Sequence, residues 1–75
     1  MSDHTLDTKG LNCPMPVLKA RRAMKGLAPG DVLVIEATDP GTVEDFAHFC
    51  EATGHQMLDR GEADGVFNFR IRKSS

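Results

Sequence analysis

The chain has 75 residues, 40% of them apolar and 27% charged, with a formal net charge of −2. These values exclude a disordered polyelectrolyte and a strongly basic nucleic-acid binder. The length allows a single domain, residues 1–75, with a core of about a dozen side chains and no deep enclosed cleft.

In chain order, HTLDTK, residues 4–9, alternates well enough for a short first strand with Leu6 inward. Residues 10–13 form a loop. From Pro16 the period becomes helical. Val17, Ala20, Met24, Leu27 and Ala28 fall on one stripe, and Lys19, Arg22 and Lys25 face away from it. Ala28-Pro29-Gly30-Asp31 supplies turn chemistry to end that helix.

DVLVIEAT, residues 31–38, is the clearest strand, β-branched and almost continuously apolar. Asp39 then suits the N-cap of a second helix, with Pro40 at its first position, where a missing N–H costs nothing. Val43, Phe46, Ala47, Cys50 and Thr53 make the expected inner face, and Gly54 stops the helix. HQMLDR gives a third strand, residues 61–65 a turn, and VFNFRIRK a fourth strand. In that last strand Phe67, Phe69 and Ile71 alternate with Asn68, Arg70 and Arg72, so one face is buried and the other wet.

The order β-α-β-α-β-β combines a parallel crossover with a closing hairpin. It predicts an α/β (α+β) two-layer sandwich: a mixed four-stranded sheet with both helices on one face. The other face is left open, with Val32 and Val34 on it.

No apolar run approaches the roughly 18 residues needed to cross a bilayer. The N-terminus MSDHTLD lacks signal-peptide character. The expectation is a cytoplasmic protein without membrane contact, its cysteines reduced. His4, His48 and His55 are scattered, and no CxxC or HxxxH spacing fixes a metal. Residues 8–30 carry Lys9, Lys19, Arg21, Arg22 and Lys25 with no acidic residue, whereas residues 31–64 carry nine acidic residues against Arg60 alone. The basic helix lacks interleaved aromatics, which argues against direct nucleic-acid binding.

The two cysteines differ in setting. Cys50 sits on the inward stripe beside Phe46 and Ala47, where a free thiol acts as a small hydrophobe. Cys13 ends the loop before the first helix. There the macrodipole and the neighbouring Lys9, Lys19 and Arg22 are expected to favour the thiolate. Pro14 and Pro16 stiffen that loop and present the sulfur outward. A thioredoxin-type pair fails because Pro16 occupies the resolving position. A hydrolytic thiol would need a placed histidine and a cleft. What fits is an exposed solitary thiol that receives a group and hands it on, and a persulfide suits that role.

Gly10-Leu11-Asn12-Cys13-Pro14-Met15-Pro16 carries the most specific resemblance in the chain. With Pro29-Gly30, Asp39-Pro40 and the end of the second helix near Gly54, it makes residues 6–73 resemble the TusA/SirA-like family of small sulfur carriers. The resemblance implies sulfur carried as a persulfide on Cys13, no cofactor, and delivery by protein contact. The donors it implies are cysteine desulfurases or rhodanese-like proteins. The acceptors feed tRNA 2-thiouridine synthesis, molybdenum-cofactor maturation or sulfur oxidation. Family members of the tRNA pathway carry an acidic residue where this chain has Met15. Gly10, Leu11, Pro14 and Pro16 are the expected motif supports. Lys19, Arg22, Lys25 and Asp39 are the expected docking residues on a monomer. The competing reading is a regulatory or protein-binding module in which the Cys-Pro-Met-Pro loop is structural and the thiol is idle.

Overall fold

The computed structural model describes residues 3–74. The elements are β1 (Asp3–Thr8), α1 (Met15–Lys25), β2 (Val32–Ala37), α2 (Thr42–Thr53), β3 (Gln56–Ala63) and β4 (Val66–Arg72). The sheet order is β1-β2-β4-β3. β1 runs parallel to β2, from Asp3 opposite Val32 to Thr8 opposite Ala37. β4 lies antiparallel between β2 and β3. The mixed sheet and element order agree with the expected two-layer sandwich.

One row of the sheet faces the helices. Leu33 pairs with Ile71 and Ile35 with Phe69, and these four meet Ala20 and Met24 of α1 and Phe46, Phe49 and Cys50 of α2 in a single core. The rings of Phe46 and Phe69 lie 4.8 Å apart, and Phe49 meets Phe46 edge-on at 6.2 Å. The opposite row pairs Val32 with Arg72 and Val34 with Arg70. Val32 and Val34 lie on this face as expected, Val32 buried and Val34 half-buried beside their arginine partners.

Four local expectations need correction. α1 ends at Lys25 with Gly26 as its C-cap, which leaves Ala28 outside the helix and exposed. On α2, Ala47 and Thr53 are exposed and Phe49 is buried, because the apolar stripe leans towards α1. Asp39 does not cap α2: Gly41 is the N-cap, and Asp39 Oδ1 accepts the Gly41 N–H at 2.9 Å in a turn just before the helix. The expected 61–65 turn is mostly strand. β3 continues to Ala63, and only Asp64 and Gly65 make the hairpin turn, with φ of 53° and 79°. An Asp-Gly pair with both φ values positive is the tight turn that matches strand twist.

Candidate functional site

Because β1 and β2 are parallel neighbours, their C-terminal ends lie side by side. The loops that leave them are brought together at one edge of the sandwich, the end where open α/β sheets place their sites. The first loop carries Cys13 and the second carries Asp39. Gly10, at a φ of 83°, turns the first loop away from the sheet and donates its N–H to Thr38 Oγ1 at 2.9 Å. The Leu11 N–H returns to Thr8 O at 3.2 Å, and the Met15 N–H reaches Asn12 O at 2.9 Å. Pro14 is the N-cap residue of α1, and Pro16 is fully buried, anchoring the start of the helix in the core.

Asp39 ties the two loops together. Its Oδ2 accepts the Cys13 N–H at 2.6 Å while Oδ1 holds Gly41, and these two bonds keep its carboxyl below the usual carboxylate range. Gly41 sits against both loops: a Cβ there would meet Asp39 Oδ1 at 3.4 Å and Cys13 Cβ at 3.7 Å, ordinary contact distances. Asp39 therefore acts from inside the site, on backbone groups.

Cys13 is exposed, and its Sγ donates to Asp45 Oδ2 on the first turn of α2. That bond, followed by partial desolvation of the sulfur and the negative charges of Asp45 and Asp39, pushes the thiol from 9.0 up to about 11. The expected thiolate-favouring setting is thus reversed. The charges that act on the sulfur are the carboxylates of Asp45 and Asp39, not the basic side chains of α1. Lys9 is engaged elsewhere, 3.7 Å from Asp7 and 3.4 Å from Glu36. Asp45 is the residue that sequence reasoning missed. The available signal was an acidic side chain in the first turn of a helix entered from the loop beside Cys13.

The basic residues of α1 divide. Lys19 and Arg22 line a groove with Leu6, Met15, Leu18 and Ala23, whereas Lys25 lines another with Arg21, Met24 and Phe49. Steps of three residues drift around a helix of 3.6 residues per turn, so the three cations do not form one row. Met15 and Leu18, two and five residues after Cys13, remain 44% and 51% exposed as large apolar side chains lining that first groove. Cys50 is 9% exposed, and burial raises its thiol. Both cysteines are free. Among the described residues no group of three or more His, Cys, Asp or Glu is placed to hold a metal ion. No helix among them is long and apolar enough to cross a membrane.

The profile of the sulfurtransferase TusA family matches residues 4–73, which spans both loops and every element that positions them. The chain belongs to the TusA family. It is 44% identical over 72 residues to the sulfur carrier protein TusA of Allochromatium vinosum, covering 96% of this chain and 95% of that one. To the sulfur carrier protein TusA of Pseudomonas fluorescens it is 42% identical over 73 residues, covering 97% and 88%. The crystal structure of a SirA-like protein from Desulfitobacterium hafniense superposes with a TM-score of 0.84 at 27% identity, covering 100% of both chains. The TusA match covers residues 4–73, and the cysteine loop lies within it.

Proposed function

We propose that this chain is a sulfur carrier that accepts sulfane sulfur as a persulfide on Cys13 and passes it to an acceptor protein. The observation that carries the reading is an exposed, unpaired thiol held at the meeting point of two loops, in a chain of TusA-family sequence. The site has no second thiol within its loop, and the other cysteine is in the core, which leaves a single sulfur able to meet a partner.

In the loading step the Cys13 thiolate attacks the outer sulfur of a donor persulfide, R–S–SH. A new bond forms between Cys13 Sγ and that sulfur while the donor's S–S bond breaks. The donor leaves as a thiolate and takes up the proton that Cys13 gave up. In the unloading step an acceptor thiolate attacks the outer sulfur of Cys13–S–SH, and Cys13 is the leaving thiolate. No net oxidation occurs, and no cofactor of the carrier is needed. The terminal sulfur only has to be reachable, which an exposed loop provides.

A family of sulfur carriers implies donor and acceptor proteins. In this reading the donor is a cysteine desulfurase or a rhodanese-like protein, each of which presents a persulfide, and the carrier docks as a monomer. The contact surface is the side of α1 next to Cys13, with Met15 and Leu18 supplying apolar area and Lys19 and Arg22 supplying charge. Lys25 and Asp39 lie outside this patch. Lys25 faces the other groove, and Asp39 holds the loop. The test is to incubate the carrier with a cysteine desulfurase and L-cysteine and weigh it intact. Gain of one sulfur that dithiothreitol removes, absent in Cys13→Ala, supports the reading. A Cys13→Ala variant that still loads would overturn it.

A further inference from the structure

We propose that Asp45 is a positioning residue that holds the Cys13 sulfur as the protonated thiol in the free carrier, so that the nucleophilic thiolate appears only when this carboxylate is neutralised. The inference rests on the sulfur-carrier reading above and assigns a specific control to its site. It stands on the geometry of three elements. Cys13 Sγ donates to Asp45 Oδ2, so the thiol proton has a defined acceptor. Asp45 itself is fixed in the first turn of α2, where its N–H donates to Gly41 O at 3.1 Å, and its side chain is half-buried. Asp39 supplies a second carboxylate and grips the Cys13 backbone N–H at 2.6 Å, which holds the loop backbone beside α2.

The facing groups do not cancel this charge. Arg21 of α1 and His48 of α2 line the same groove as Asp45, but among the described residues Asp45 forms no ion pair. The Arg21 guanidinium instead lies over the Phe49 ring, 5.9 Å from its centre. Losing the proton from Sγ would leave a thiolate in contact with one carboxylate and close to another, and the shift of the thiol to about 11 follows the same direction. An exposed thiolate is open to alkylation and stepwise oxidation, so a carrier that keeps its sulfur protonated between partners protects it.

The experiment follows iodoacetamide alkylation of the native protein by intact mass across the alkaline range, for the wild type, Asp45→Asn and Asp45→Glu. Cys50 that stays unlabelled reports that each variant is folded. The wild-type Cys13 midpoint is expected near 11, well above the ordinary 9.0. Asp45→Asn is expected to move it towards 9.0 and speed Cys13 alkylation at pH 8 by on the order of tenfold or more, as each pKa unit changes the thiolate fraction tenfold. Asp45→Glu, which keeps the charge, is expected to restore most of the wild-type profile. An unchanged profile in Asp45→Asn overturns the proposal. Slower alkylation in that variant overturns it too, because Asp45 would then be a general base. A wild-type midpoint at or below 9.0 overturns it without any variant. No sulfur donor enters these measurements, so they stand or fall separately from the loading test.

Discussion

Cys13 and Cys50 are the same residue in two settings, and both thiols are held less acidic than an ordinary thiol, with a different leading cause in each. Cys50 is raised by burial among Phe46, Phe49 and their neighbours, where a charge has no solvent. Cys13 is raised first by its hydrogen bond to Asp45, then by partial desolvation and the charges of Asp45 and Asp39, while the residue stays exposed. The comparison teaches that access and ionisation are separate controls. Cys50 lacks both, whereas Cys13 has access and can be given ionisation by a change at a nearby side chain. A partner can supply such a change at Cys13 and cannot supply it in the core.

The comparison breaks most completely at Cys13 itself. Cys13→Ala is expected to abolish sulfur loading while thermal melting changes little, because no core contact is lost. Retained loading would reassign the sulfur to Cys50. Next in size is the core. Phe46→Ala removes a fully buried ring and is expected to cost about 3–5 kcal/mol in chemical denaturation. Cys50→Ser, which puts a hydroxyl in the same place, is expected to cost about 1–3 kcal/mol with loading intact. A stable Cys50→Ser variant that cannot load would make Cys50 a relay thiol.

The pH dependence sharpens the contrast from both sides. Asp39 is held below its ordinary 3.8 in the folded chain, so its contribution to stability is present at neutral pH. It is lost as pH falls through the depressed value. Cys13 is held above 9.0, so its hydrogen bond contributes below that pH and is lost as pH rises through about 11. Asp39→Asn keeps only one acceptor oxygen for two backbone donors and should flatten the acid side of a stability profile. An acid limb unchanged in Asp39→Asn would show that the two loops are held by other contacts. The smallest effect is expected at the surface. Charge reversal at Lys19 and Arg22 should slow transfer a few-fold at low salt without altering Cys13 alkylation. Transfer indifferent to both the reversals and salt would leave the apolar pair Met15 and Leu18 as the docking contact.

Most of the architecture was legible because it is written in local patterns. The alternation of Phe67, Phe69 and Ile71, the run of β2, and the proline-led start of α1 each name an element by short-range chemistry. Errors arose where two chemistries compete. Asp39-Pro40-Gly41 reads as a cap followed by a first helical proline, yet the Asp39 side chain is drawn back to the cysteine loop. The Asp64-Gly65 pair was hidden by the two residues Gly61 and Glu62, which look like turn and belong to β3. Asp45 was legible as a first-turn acid of α2 but not as the partner of Cys13, for a different reason. Its bond to Cys13 spans 32 positions and exists only because parallel pairing of β1 with β2 brings their exit loops together. The charge of a site set by such a contact cannot be read from its sequence neighbours, and the basic block around Cys13 pointed the wrong way.

The most direct test of the difference between the two thiols is peptide mapping of the wild-type carrier after loading by a cysteine desulfurase with L-cysteine. Persulfides are capped by alkylation before digestion. The account predicts one added sulfur on the peptide containing Cys13, removable by dithiothreitol, and none on the peptide containing Cys50. Added sulfur on Cys50, or an unmodified Cys13 in protein that has plainly gained sulfur, would contradict it.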